Sequence, residues 1–118
     1  MSAEFSLDKY SQIIEPLSIE IHPSMEPVEI DFRPDAITRG DMKKISSVAN
    51  DASDRDAETD AAMVKAISSW NIKQGGQVVP ISTETFDALG AILYSKIALK
   101  IWENIRGKLK TESTSGAG

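Results

Sequence analysis

Two hydrophobic patterns divide the chain. In "LSIEIHP" the apolar side chains Ile19 and Ile21 alternate with acidic or polar ones, and "EPVEIDFRP" repeats this with Val28, Ile30 and Phe32. A period of two is that of a half-buried strand. "PSMEP" between them supplies a turn, and Pro23, Pro27 and Pro34 suit strand ends and edges. The pattern predicts an antiparallel ribbon over 18–33, which must lie on a helix or pair with another chain, because two strands alone are marginal in water.

After the ribbon the spacing becomes helical. Thr38 with Asp41 forms a capping pattern, and Ile37 and Met42 stand at staple positions. These open a helix over about 39–50, with Met42, Ile45, Val48 and Ala49 on one side. Ser53 and Asp56 repeat the capping pattern for a helix over about 54–70. It is acidic in its first turns and carries Met63, Ile67 and Trp70 at i, i+4, i+7. Ser82 opens the last helix, about 83–110, with Ile81 and Phe86 at staple spacing and Arg106, Lys108 and Lys110 at its negative end. The expected fold class is mainly α: a three-helix small domain with a short N-terminal antiparallel β ribbon. A single domain over 18–110 follows an N-terminal arm, 1–17, and precedes a tail, 111–118, which has nothing to bury and is expected to be disordered.

The last helix poses a packing problem. Leu93, Ile97, Ile101 and Ile105 are four apart, and at about 100° per residue each step turns the stripe by about 40°. The early face is Phe86, Leu89, Leu93 and Ile97; the late face is Ile101, Trp102, Ile105 and Leu109. One flat core does not easily cover both. Either the helix bends, or the ribbon covers its second half, or the late face joins another subunit or a client segment. On the last alternative the partner-binding residues are Ile97, Ile101, Trp102, Ile105 and Leu109.

Charge narrows the choice of partner. The 118 residues carry 13 basic and 18 acidic side chains, a net of −5. Residues 1–62 hold 14 acids and 6 bases, and residues 63–118 hold 4 acids and 7 bases. An acidic first half repels phosphate, so nucleic acid is not an expected partner. No apolar run approaches the roughly 18 residues of a membrane span, and the N-terminus lacks the basic start and hydrophobic stretch of a signal peptide.

Catalytic chemistry is poorly supplied. There is no cysteine, and the single histidine, His22, stands beside Pro23 at a strand end, where an exposed turn residue is expected. Asp51, Asp54, Asp56, Glu58 and Asp60 superficially suggest a calcium loop. From Asp51, however, position 6 is Asp56 rather than Gly, and position 12 is not Glu. Gly75-Gly76-Gln77 matches the tripeptide with which peptide-release factors trigger peptidyl-tRNA hydrolysis, yet only Lys73 is near to offset phosphate charge. Two glycines between short β-leaning pieces read as a tight hairpin turn. A non-enzymatic protein without cofactor or metal is expected.

Read whole, "ISSWNIK" followed by "GQVVPISTETFDALG" resembles the C-terminal signature of tail assembly chaperones of long-tailed, siphovirus-type bacteriophages. There a helix ends in Trp-Asp-Leu or a near variant, a turn delivers Gly-x-Pro/Val-Val-Pro, and a Thr/Ser-capped helix follows. Trp70, Gly76, Val79, Pro80 and Ser82 match; Asn71 replaces the usual Asp, keeping an acceptor oxygen but removing a charge. Upstream, "EIDFRPDAIT" resembles the family's aromatic-Arg-Pro-x-Ala-x-Thr segment through Phe32, Arg33, Pro34, Ala36 and Thr38. The resemblance covers about residues 28–100. It implies a homo-oligomer that binds the tape-measure protein, with the tail tube protein as a further partner. It also implies residence in the host bacterial cytoplasm and absence from the mature virion. A structural virion protein, such as a head-tail connector or tail completion subunit, is the alternative.

Overall fold

A computed structural model describes residues 3–117, with side chains described for 3–109. The short helix α1 (Leu7–Ser11) leads into strands β1 (Glu15–Ile19) and β2 (Val28–Phe32). A 3-10 turn (Pro34–Ala36), α2 (Arg39–Ser47) and α3 (Ala52–Ala66) follow, then β3 (Ile67–Trp70) and the short hairpin β4 (Lys73–Gln74) and β5 (Gln77–Val78). The described chain closes with α4 (Thr83–Ala88) and α5 (Ala91–Ala117). The expected tail over 111–118 lies outside the residues whose side chains are described.

The fold class is mixed α/β, which corrects the mainly α, three-helix expectation. The ribbon exists, but it is two strands of a three-stranded antiparallel sheet in the order β1-β2-β3, and β4 with β5 makes a second sheet. The third strand was hidden in what read as the end of a helix. Ile67, Ser68, Ser69 and Trp70 are all weak helix formers, and the helix stops at Ala66, where the chain turns extended at Ile67. β3 then pairs with β2, Ile30 opposite Trp70 and Phe32 opposite Ile67, with an irregularity between Asp31 and Phe32. The spacing of Met63, Ile67 and Trp70 still served burial, since all three lie in the core. The expected start at Ser53 is corrected too: Asp51 caps α3, its carboxylate accepting from the Asp54 N–H at 3.0 Å.

The single helix expected over 83–110 is two. α4 ends at Leu89 in an extended conformation, and α5 restarts beyond Gly90, the Gly90 carbonyl accepting from the Tyr94 N–H. Phe86 before the break and Ile97 after it both lie in the one core.

α5 lies along β1. Lys96 Nζ donates to the Ile21 carbonyl at 3.2 Å, and Lys108 Nζ pairs with Glu15 Oε1 at 2.8 Å. The helical residue numbers rise as the strand numbers fall, so the two run antiparallel. Twelve helical residues climb about 18 Å and the six residue steps from Glu15 through β1 to Ile21 about 20 Å at extended rise, which lets both clamps close together. Leu17 and Ile19 of β1 thus cover the middle of α5. The core is the inner face of the sheet against Ala62, Met63 and Ala66 of α3, Phe86 of α4, and Ile97, Ile101 and Ile105 of α5.

Candidate docking groove

Burial decides the fate of the stripe first. Ile97 and Ile101 are fully buried and Ile105 is 7% exposed, so these three are core residues of the chain's own fold. Their expected role as partner contacts is corrected: the ribbon occupies that face. Trp102 is half-buried and packs against the core, while Leu109 remains 50% exposed. Only the far end of the stripe reaches a surface where a partner could meet it.

That end opens into a groove of about 730 Å³. One side is α5, through Ile105, Gly107 and Leu109; the others come from Tyr10 and Ile13 of the N-terminal arm and Ile37 before α2. The arm is itself apolar and solvent-facing: Phe5, Leu7, Ile13 and Ile14 are all exposed, and the Phe5 and Tyr10 rings meet at a tilt of 53° with 5.2 Å between centroids. Arg33 ties the arm to the body, one guanidinium nitrogen donating to Gln12 Oε1 at 3.0 Å and another to the Lys65 carbonyl at 3.1 Å.

Gly107 is the least expected member of the lining. A glycine inside a helix is destabilising by about 1 kcal/mol relative to alanine, and internal crowding does not require it here. Apart from its chain neighbours and the helix's own backbone, no described atom lies within 4 Å of where its Cβ would stand. What its bare backbone provides is close approach from outside the helix.

The other motif residues build the frame. Phe32 is fully buried in β2, and Pro34 begins the 3-10 turn. Trp70 Nε1 donates to the Val79 carbonyl at 2.8 Å, closing the segment between β3 and Pro80 onto the core. Trp70, Phe86 and Tyr94 then stand in a row with centroid separations of 6.1 and 5.7 Å. Gly76 and Gly75 take φ of 80° and 61° between Gln74 and Gln77, which face each other across the pair. This is the two-residue hairpin geometry that glycine permits. Gln77 is an exposed strand residue of that hairpin. Asn71 replaces charge with pairing: its Oδ1 accepts from the Glu29 N–H at 2.8 Å and its Nδ2 donates to the Pro27 carbonyl at 3.1 Å. An aspartate could make only the first of these bonds. His22 caps its own turn, Nδ1 accepting from the Ser24 N–H at 3.1 Å.

Titration is perturbed away from the groove. The Tyr94 hydroxyl donates to Asp60 Oδ1. Burial raises the Asp60 pKa, Tyr94 opposes this, and the charges of Asp87 and Asp56 add to the rise. Burial, then the Asp60 bond, pushes the phenol well above its ordinary range. Asp41 moves the other way, lowered first by the hydrogen bond from Lys65 and next by the Thr38 N–H.

The groove combines one end of a stripe legible in the sequence with two features that were missed, the arm and Gly107. Both left signals. Tyr10, Ile13 and Ile14 carry i, i+3, i+4 spacing, and an isolated glycine in a helical run marks a packing or functional requirement. Comparison with protein-family models, with curated proteins and with solved structures gives no match to this chain.

Proposed function

We propose that the protein is a non-enzymatic phage tail assembly chaperone that holds an apolar segment of the tape-measure protein in the groove beside α5. The observation that carries this reading is Gly107: a helix carries glycine where the described residues leave room for a side chain, in the lining of a largely apolar groove. The ordered motifs around Phe32, Arg33 and Pro34 and around Trp70, Gly76 and Pro80 support the family. The exposed arm side chains, Phe5, Leu7 and Ile14, offer surface for self-association. A net charge of −5 helps keep such an assembly dissolved. Among the described residues no helix is long and apolar enough to cross a membrane.

On this reading the chaperone works in the host cytoplasm, covers client stripes until tail tube subunits assemble, and is then released. Co-expression with the tape-measure protein of the same phage tests it. The wild-type chain should keep the client soluble and co-purify with it, and Gly107→Trp, which fills the groove, should do neither while remaining folded. Unchanged client solubility without a complex overturns the proposal. Presence of the chain in purified particles favours the structural-subunit alternative instead.

A further inference from the structure

Among the described residues, the buried side-chain atoms without a hydrogen-bond partner include Glu15 Oε2 and Asn104 Oδ1. Both residues line the groove. Both orphan atoms are acceptors. Asn104 and Lys108 are one helical turn apart on the same face of α5, and Lys108 is the residue that holds the other oxygen of Glu15. The acceptors therefore belong to one end of the groove, where β1 meets α5.

Charge points the same way. The lining contains two carboxylates, Glu15 and Asp35, against one ammonium, Lys108, which is already engaged with Glu15 Oε1 at 2.8 Å. Asp35 makes no ion pair or side-chain hydrogen bond among the described residues. Glu15 Oε2 and Asn104 Oδ1 are already cut off from water in the chain by itself, so the fold carries the penalty of leaving them without donors, and an entirely apolar occupant leaves that penalty in place. An occupant that carries a cation at this point, met by a small turn of the two side chains, removes it, because an ammonium or guanidinium has several N–H donors and can give one to each acceptor.

We infer that the groove recognises an apolar helical segment bearing one lysine or arginine, whose cation is received by Glu15 Oε2 and Asn104 Oδ1. This deepens the docking reading above and rests on it. The apolar walls supply affinity, and the two acceptors fix the register of the client along α5. A stripe alone would let a repetitive helix slide by whole turns; a single buried polar contact does not.

Two synthetic amphipathic helices separate the possibilities. Each carries leucines at i, i+3, i+4 and i+7, and they differ by one lysine beside the stripe, replaced in the second by norleucine. Binding to the full chain is read by fluorescence anisotropy. The lysine peptide should bind about tenfold or more tightly, the factor that corresponds to one well-made polar contact. Asn104→Leu and Glu15→Gln should each reduce that preference, the ratio of the two affinities, severalfold. Thermal melts of both variants verify that they fold. Gly107→Trp should abolish binding of both peptides. Equal binding of the two peptides, or a preference untouched by either polar variant, overturns the cation inference and leaves the docking groove standing. Failure of both peptides to bind, or binding indifferent to Gly107→Trp, overturns the docking reading and this inference with it.

Discussion

At the scale of single residues, the molecule is held by polar contacts that each replace something the backbone would otherwise lack. Trp70 buries a large ring and spends its one donor on the Val79 carbonyl. Trp70→Phe keeps most of the apolar contact and deletes that bond, so unfolding in urea should show a loss of about 1–2 kcal/mol, against about 3–5 kcal/mol for Trp70→Ala. The carboxylates Asp60 and Asp41 make predictions of opposite sign. Asp60 binds its proton more tightly in the folded chain than in the unfolded one, because burial and two neighbouring acids disfavour its charge. Its contribution is therefore fully present below the ordinary value of 3.8 and is lost as pH rises through the raised folded pKa. Asp60→Asn should be more stable than the parent at pH near 7, with the difference closing in acid. Asp41, lowered by Lys65 and the Thr38 amide, contributes above 3.8 and loses that contribution as pH falls through its folded pKa. Asp41→Asn should be less stable near pH 7, and its deficit too should close in acid. Urea midpoints for the three chains across this range show whether the two carboxylates carry these signs.

At the scale of elements, caps and turns obeyed local chemistry, whereas element ends were decided by pairing. Thr38 and Asp41 form the reciprocal capping box that their spacing predicts, with bonds of 3.0 and 2.9 Å. Thr38→Ala should lower stability by about 1 kcal/mol, measurable by denaturant titration. Gly75→Ala, which forces a side chain into positive φ, should lower it by about 1–2 kcal/mol and leave helix content unchanged by circular dichroism. These features were legible because each depends on residues within five positions of one another. β3 was not legible, since Met63, Ile67 and Trp70 satisfy a helical period and only the presence of β2 alongside makes Ile67–Trp70 a strand. Nor was the break at Leu89 and Gly90, although Gly90 marked it. The rotating stripe posed a real packing problem, and the fold met it by laying β1 over α5. That resolution moved the free surface from Ile101 to the neighbourhood of Leu109 and the arm.

At the scale of the whole molecule, the question is why so small a domain leaves its arm and Leu109 of α5 partly uncovered while packing Ile97 and Ile101 completely. A chain selected only for stability would close the groove, and its simplest first step is to give α5 an ordinary helix former at Gly107. The structure leaves room for this, so Gly107→Ala should raise stability by roughly 0.5–1 kcal/mol. The same methyl group would stand between α5 and any backbone or side chain that approaches it closely. If the groove receives a client helix, the variant should then melt at a higher temperature yet bind the leucine-stripe peptides more weakly, and it should protect the tape-measure protein less well than the parent chain does. Stability and carrying capacity would move in opposite directions through one substitution. A general packing defect cannot produce that pairing, because it lowers both. A Gly107→Ala protein that gains stability and binds undiminished would show that the glycine serves neither purpose, and the groove would lose the observation on which its role rests.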